Sequence, residues 1–347
     1  GDPTAAQRQP LKGQSDLTKV STLTPGWHED DNGRWYQNAD GTYYTGGFAE
    51  IDGVTYAFDD NGYMQTGWVT KGSQDYYFND DGSYNASEKR PMIALTFDDG
   101  PGEYTSELLD CLEENNAHAT FFMLGQNVQN YQDDVKRMLE LGCEIGNHSW
   151  DHANMYELSL DSVVKEFNDA DQALIDACGQ ASTVVRAPYG NANEDIMNAV
   201  GKPFFMWSLD SLDWKYKDVD LDYKSIMQDN SSVIKDGTII LMHDIHEPSV
   251  KAAERIIPEL INMGFKLVTV SEMAEAKNVT LQNASYNNFW QDILDEGLVP
   301  GYAGNSTSDA DTSDSTEDSS DGSEDGSSSD GSEDYSDGSE DGSNSSE

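Results

Sequence analysis

Five short polar runs hold the residue types that could do chemistry: Thr96-Phe97-Asp98-Asp99-Gly100-Pro101, His148-Ser149-Trp150-Asp151-His152, Arg186-Ala187-Pro188-Tyr189-Gly190, Asp210-Ser211-Leu212-Asp213-Trp214 and Leu241-Met242-His243-Asp244. His148 and His152 stand four apart, a spacing that puts two imidazoles on one side of a helical turn and within reach of one ion. With Asp99 they would make a two-histidine, one-carboxylate set. Three protein ligands leave coordination open for water and substrate, which marks a catalytic rather than a structural metal. Asp98 is adjacent, and neighbours in an extended segment point in different directions, so one carboxylate can ligate while the other stays free as a base. Each feature alone has a plainer reading. A His-x-x-x-His pair is weak evidence of metal, and Asp-Asp-Gly is common turn chemistry that recurs at Asp80-Asp81-Gly82. Position separates the two readings.

The elements that must position these runs are legible around them. From residue 90 to about residue 273 apolar strands alternate with amphipathic helices, which argues for a parallel α/β architecture. The pattern predicts strands over residues 92–95, 119–123, 143–146, 183–185, 203–207, 238–242 and 266–270, and helices over 104–114, 132–141, 160–177 and 250–263. Five of those strands are followed by the polar runs, and in a parallel barrel such positions converge on the face where active sites are found. Seven strand-helix units in so short a stretch suit a distorted (β/α)7-type barrel.

Over about residues 90–275 the five runs, in this order, resemble those of the NodB-homology polysaccharide deacetylases, carbohydrate esterase family four. The resemblance implies one divalent metal ion, commonly Zn2+ with Co2+, Ni2+ or Mn2+ as alternatives, held by Asp99, His148 and His152. It implies Asp98 as catalytic base and His243 as catalytic acid. Arg186 is expected to pair with Asp98, and Asp213 to support the Arg186 or the His243 side. A backbone N–H matching Tyr189 would serve the oxyanion, and Trp214 and Leu241 match positions that wall the acetyl-methyl pocket. Asp210 and His246 receive no role, and His28 and His118 are read as incidental. The stretches from Asp210 to Lys215 and from His243 to His246 resemble those of peptidoglycan deacetylases, which directs the substrate reading to N-acetylglucosamine of peptidoglycan. An O-acetyl esterase on xylan or a chitooligosaccharide deacetylase is the enzymatic alternative, and a glycan-binding wall protein the non-enzymatic one.

Ahead of this region Gly26-Trp27, Gly47-Phe48 and Gly67-Trp68 recur every 20 or 21 residues, each followed by an aromatic cluster: Trp35-Tyr36, Tyr56 with Phe58, and Tyr76-Tyr77-Phe78. Asn38-Ala39-Asp40-Gly41, Asp59-Asp60-Asn61-Gly62 and Asn79-Asp80-Asp81-Gly82 keep the same step and place Gly where a tight turn needs positive φ. Units too small to bury their own faces must stack, so residues 25–86 are expected to form a small β-hairpin repeat solenoid. The pattern resembles the choline-binding and glucan-binding cell-wall repeats of Gram-positive surface proteins. That resemblance implies attachment to the bacterial wall, through choline or glycan, by Trp27, Trp35, Tyr36, Phe48, Tyr56, Trp68, Tyr76 and Tyr77. The plainer reading is that these aromatics only hold the repeats together.

The rest bounds the setting. The 347 residues carry a net charge of -45, which argues against nucleic acid and disfavours anionic membrane surfaces as partners. Fifteen acidic residues fall in 305–347, a stretch with no Lys or Arg, so the remainder still carries -30. Residues 1–24 are read as a flexible leader, 276–303 as an extension packing back on the core, and 304–347, rich in Ser, Asp, Glu and Gly, as a disordered tail. Cys111, Cys143 and Cys178 are too few and too scattered for a disulfide framework. No apolar stretch is long enough to span a bilayer. Domain content points to a secreted or wall-associated monomer whose signal segment has been removed.

Overall fold

The computed structural model describes residues 23–72 and 74–297, and the leader and acidic tail expected at the two termini lie outside them apart from the leader's last two residues. The chain divides between Arg90 and Pro91 into two compact units. Among the described residues no helix is long and apolar enough to cross a membrane.

The first unit is built from three antiparallel hairpins. β1 (Gly26–Asp30) pairs with β2 (Gly33–Gln37), β3 (Gly47–Ile51) with β4 (Val54–Phe58), and β6 (Gly67–Lys71) with β7 (Gln74–Phe78); β5 (Met64–Gln65) adds to β4. The Asp/Asn-Gly turns read from the sequence follow β2, β4 and β7, where Gly41, Gly62 and Gly82 donate their N–H to the carbonyls of Asn38, Asp59 and Asn79 at 3.1, 3.0 and 2.8 Å. Each repeat therefore has two turns rather than one, because the first falls inside its hairpin between the Gly-aromatic step and the aromatic cluster. Aromatic side chains join neighbouring hairpins: Trp27 meets Tyr56 with ring centroids 4.8 Å apart, and Phe48 meets Tyr76 at 5.0 Å. Phe48 and Tyr76 are buried in this small core, so they hold it together rather than face a ligand. Trp27, Trp35, Tyr36, Tyr56, Trp68 and Tyr77 remain partly accessible, with the cations of Arg34 and Arg90 over Trp27 and Trp68.

The second unit is a curled parallel sheet with helices packed on it. In spatial order its strands are β13 (Leu209–Asp210), β14 (Thr238–His243), β8 (Met92–Asp98), β9 (Thr120–Met123), β10 (Glu144–Asn147), β11 (Val184–Val185), β12 (Phe204–Phe205) and β16 (Ser285–Tyr286), while β15 (Lys266–Leu267) pairs with the start of β8. Its helices include α1 (Thr105–Glu114), α2 (Gln132–Glu140), α3 (Leu160–Cys178), α4 (Glu194–Val200), α5 (Glu247–Asn262) and α6 (Val270–Ala276). β13 and β16 end the hydrogen-bonded path among the described residues, so the α/β sheet is an open half-barrel. The central strands are buried on both faces, as expected when helices cover a parallel sheet; Ile93, Ala94, Leu95 and Phe97 of β8 are fully buried.

Two sequence expectations shift here. The strand expected over residues 266–270 stops at Leu267, because Thr269 caps α6 in a reciprocal capping box with Glu272. The extension after residue 276 does pack back, but it also contributes β16, with Tyr286 and Phe289 fully buried against Phe205. Cys111 and Cys143 are buried free thiols, and Cys178, also free, is half-buried.

Candidate metal centre and active site

The five polar runs all emerge at the C-terminal ends of the parallel strands. β8 carries Asp98 as its last residue, and Asp99 follows in a left-handed conformation with φ 74°. This abrupt turn, rather than simple strand alternation, separates the directions of the two carboxylates. Gly100 follows because there is no room for a side chain: a Cβ there would stand 2.6 Å from the Asp244 carboxylate oxygens. Asp244 is itself buried, accepts the Thr105 hydroxyl at 2.6 Å, and is pushed by burial up to about 7.

The two histidines come together by a route the spacing did not predict. Residues 148–152 form a loop, not a helical turn. The Asn147 side chain accepts the Ser149 N–H at 2.9 Å, the Ser149 hydroxyl accepts the His152 N–H at 3.0 Å, and Ser149 and His152 have φ of 75° and 66°. Glu166 of α3 braces the loop by accepting the Trp150 N–H at 3.0 Å. The ring centroids of His148 and His152 end 4.9 Å apart.

Asp99, His148 and His152 place their donor atoms within 4.8 Å of one another. Asp99 Oδ1 lies 3.3 Å from His148 Nε2 and 3.5 Å from His152 Nε2, yet it is buried with no hydrogen-bond partner among the described residues. Three converging donors around an unsatisfied carboxylate oxygen fit a divalent cation. His148 Nδ1 donates to the Arg186 carbonyl at 2.6 Å, which fixes the ring and leaves Nε2 as the lone-pair nitrogen facing the site. Burial alone would raise Asp99, but His152, His148 and His243 hold it well below the usual carboxylate range; burial lowers His152.

Arg186 and Asp98 form the first flank. The guanidinium is fully buried and donates to Asp98 Oδ1 at 2.8 Å, to the Thr96 hydroxyl at 2.7 Å, and to the carbonyls of Phe205 and Met206 at 3.1 and 2.8 Å. Burial lowers Arg186, and the Asp98 charge opposes that effect. The guanidinium also lies over the Phe122 and Trp207 rings, 4.3 and 5.6 Å from their centroids. Phe122 can occupy that position because residue 146 is glycine: a Cβ there would come within 2.5 Å of its ring. Asp98 Oδ2 faces the centre, 3.6 Å from His148 Nε2.

His243 and Asp213 form the second flank. Asp213 accepts His243 Nδ1 at 2.8 Å and the His243 backbone N–H at 2.7 Å, so it supports the histidine and not the arginine. Burial opposes charge on His243, but the Asp213 carboxylate outweighs it and pushes the imidazole up to about 10. Burial would raise Asp213, and His243 holds it down. His243 Nε2 lies 3.9 Å from Asp99 Oδ2.

One pocket is lined by Asp98, Asp99, His148, His152, His243, Tyr189, Trp214 and Leu241, together with Trp207 and His246. Tyr189 has φ 61° and packs its ring against His152 with centroids 4.7 Å apart. Sequence reasoning missed Thr96, which alternates with Asp98 on one face of β8, so period two could have revealed it. His118 pairs with Glu272 at 2.8 Å and is not part of this pocket, while His28 stacks on Trp35 in the first unit.

Comparison with known proteins gives this geometry a family. Residues 85–203 match the family model described as polysaccharide deacetylase. The chain is 41% identical over 187 residues to the peptidoglycan-N-acetylmuramic acid deacetylase PdaC of Bacillus subtilis, a match that covers 54% of this chain and only 39% of that protein. It is 33% identical over 224 residues to a peptidoglycan-N-acetylglucosamine deacetylase of Bacillus cereus, covering 62% of this chain and 77% of that one. Among solved structures, a family 4 acetyl xylan esterase from Clostridium thermocellum in complex with cobalt matches with a TM-score of 0.53 and 31% identity, over 57% of this chain and 98% of that one. The chain belongs to the polysaccharide deacetylase family.

Proposed function

We propose that this protein removes N-acetyl groups from a polysaccharide, the N-acetylglucosamine of bacterial peptidoglycan, and releases acetate. One observation carries the reading: Asp98 locked by Arg186 stands beside His148, and His243 locked by Asp213 stands beside Asp99, so a base and an acid flank a single cluster of metal-ligating groups.

Asp99, His148 and His152 would hold the ion, Zn2+ in this reading, which when bound supplies Lewis acidity toward the acetyl carbonyl. Asp98 takes the proton of the attacking water while Arg186 keeps its second oxygen occupied. The Tyr189 backbone N–H serves the developing oxyanion. An amine leaves poorly unless protonated, and His243, anchored through Nδ1, delivers the Nε2 proton to it. Trp214 and Leu241 form the wall beside the acetyl methyl group.

The wider assignments follow from the same reading. The protein is a secreted, wall-associated monomer, and its hairpins form a short solenoid that raises the local concentration of the enzyme on its polymer. Arg34 over Trp27 at 4.9 Å and Arg90 over Trp68 at 6.0 Å already supply cations to two of those rings, which favours sugar stacking over a choline head group. The likeness to an acetyl xylan esterase supports a second reading, since ester and amide hydrolysis pass through similar tetrahedral intermediates. Acetate release is measured on peptidoglycan, chitooligosaccharide and acetylxylan after metal reconstitution. Turnover of the N-acetylated substrates, lost in His148→Ala, is expected; turnover of acetylxylan alone would replace the peptidoglycan reading.

A further inference from the structure

We propose that Asp171, on α3 and outside the pocket lining, is a positioning residue for His152, acting through the side chain of Asn147 and the hydroxyl of Ser149. The proposal rests on the deacetylase reading above, in which His152 holds the metal, and adds a residue that sets where that ligand stands.

Of the three proposed ligands, His152 has the least support of its own. Asp99 is held by its backbone, whose N–H donates to the Phe122 carbonyl at 3.2 Å and whose carbonyl accepts Asn127 Nδ2 at 2.8 Å, and the His148 ring is fixed by the Arg186 carbonyl. The His152 ring packs edge-on to Tyr189 and has no orienting hydrogen bond among the described residues. Its place is therefore set by its backbone, which is left-handed at φ 66° and, for a residue with a side chain, must be held there by its neighbours.

The holding groups lead back to α3. The His152 N–H donates to the Ser149 hydroxyl at 3.0 Å, and the Ser149 N–H donates to Asn147 Oδ1 at 2.9 Å; Asn147 and Ser149 are fully buried. At the other end of the same amide, Asn147 Nδ2 donates to the Phe167 carbonyl at 2.8 Å and to Asp171 Oδ1 at 3.0 Å. Both acceptors lie at the amino end, so only one orientation of the amide is satisfied, the one that turns Oδ1 to Ser149. Asp171 is the charged acceptor of the two, and charge strengthens the bond and polarises the amide toward its next partner. Asp171 is anchored in turn: Ser182 donates its N–H at 3.1 Å and its hydroxyl to Oδ1, and Lys202 Nζ donates to Oδ2. A clasp joining α3 to Ser182 and Lys202, ahead of β11 and β12, would need those contacts alone. The bond to Asn147 is the one that reaches the site.

The test measures Zn2+ affinity by competition with a chromophoric chelator, the visible spectrum of the Co2+-loaded protein, and the melting temperature, all on the full chain. Asp171→Leu should weaken Zn2+ binding about tenfold or more and alter the Co2+ spectrum, whereas Asp171→Asn, which keeps an acceptor for Asn147, should stay within about threefold of wild type. Asp171→Ala, which leaves room for water around Ser182 and Lys202, takes the place of Asp171→Leu should that variant not fold. Lys202→Met breaks the clasp but not the link to Asn147, so it should lower the melting temperature by several degrees with affinity and spectrum as in wild type. Asn147→Ala cuts the link and spares the clasp. It should weaken Zn2+ binding as Asp171→Leu does, and combining the two should cost no further affinity. Wild-type affinity in the Asp171 variants that lack an acceptor would overturn the proposal. So would an equal loss in Lys202→Met, or losses that multiply in the double variant. A wild type that takes up no stoichiometric Zn2+ would defeat the metal-dependent reading and this proposal with it, whereas a zinc-binding wild type beside an indifferent Asp171→Leu defeats the proposal alone.

Discussion

Arg186 accepts the Nδ1 proton of His148 on its own backbone carbonyl at 2.6 Å while its guanidinium grips Asp98 at 2.8 Å, so one residue orients both a proposed metal ligand and the proposed base. The two functions use different atoms and should separate. Arg186→Lys keeps the carbonyl but cannot match four directed donations. We expect metal binding by calorimetry to stay within about threefold, kcat to fall at least about 100-fold, and stability to drop by about 3–5 kcal/mol for a broken buried pair.

Removal of any one of Asp99, His148 and His152 should abolish stoichiometric metal in the purified protein. Asp98→Asn should retain it and still lose turnover. Elemental analysis beside an acetate assay checks both, and a metal-free Asp98→Asn would move that residue into the ligand set.

The Asp213 carboxylate raises His243 from about 6.5 to about 10. The stability gained from this pair is complete below about pH 6.5 and is lost as pH climbs through about 10. In Asp213→Asn the imidazole loses that support and burial lowers it. The alkaline limb of kcat should then move from near pH 10 to below about pH 7, with turnover at pH 8 reduced at least about tenfold. An unmoved limb would remove His243 as the proton donor.

Asp222 is fully buried, and neither carboxylate oxygen has a hydrogen-bond partner among the described residues. Burial, with Asp213 and Asp218 nearby, pushes it up to about 8. Its folded value exceeds its ordinary one of about 3.8, so wild type loses stability as pH rises between the two. Asp222→Asn carries no such penalty. Its melting temperature should equal or fall below that of wild type at pH 4 and exceed it by several degrees at pH 8.5.

Much of the site was legible because it is local. Asp98, Asp99, His243 and Leu241 sit at or just beyond the ends of β8 and β14, and a run of buried residues such as Ile93 to Leu95 marks where a strand ends. His148 and His152 do come together, but not by the route their spacing suggested. Four-residue spacing suggested a helical turn, but side-chain bonds from Asn147 and Ser149 stabilise two left-handed residues that no periodicity reports. β16 escaped notice because two residues are too few to show alternation, and its place next to β12 is set by the burial of Tyr286 and Phe289. Which flank Asp213 serves is a fact of tertiary packing that spacing could not decide.

The missing side chain at position 146 places a constraint on anyone redesigning this protein. A methyl group added in the middle of β10, a change far from the proposed reacting atoms, would shove the Phe122 ring against the guanidinium that holds Asp98. The sheet floor beneath the pocket is therefore the brittle part, although none of the pocket's polar side chains is changed.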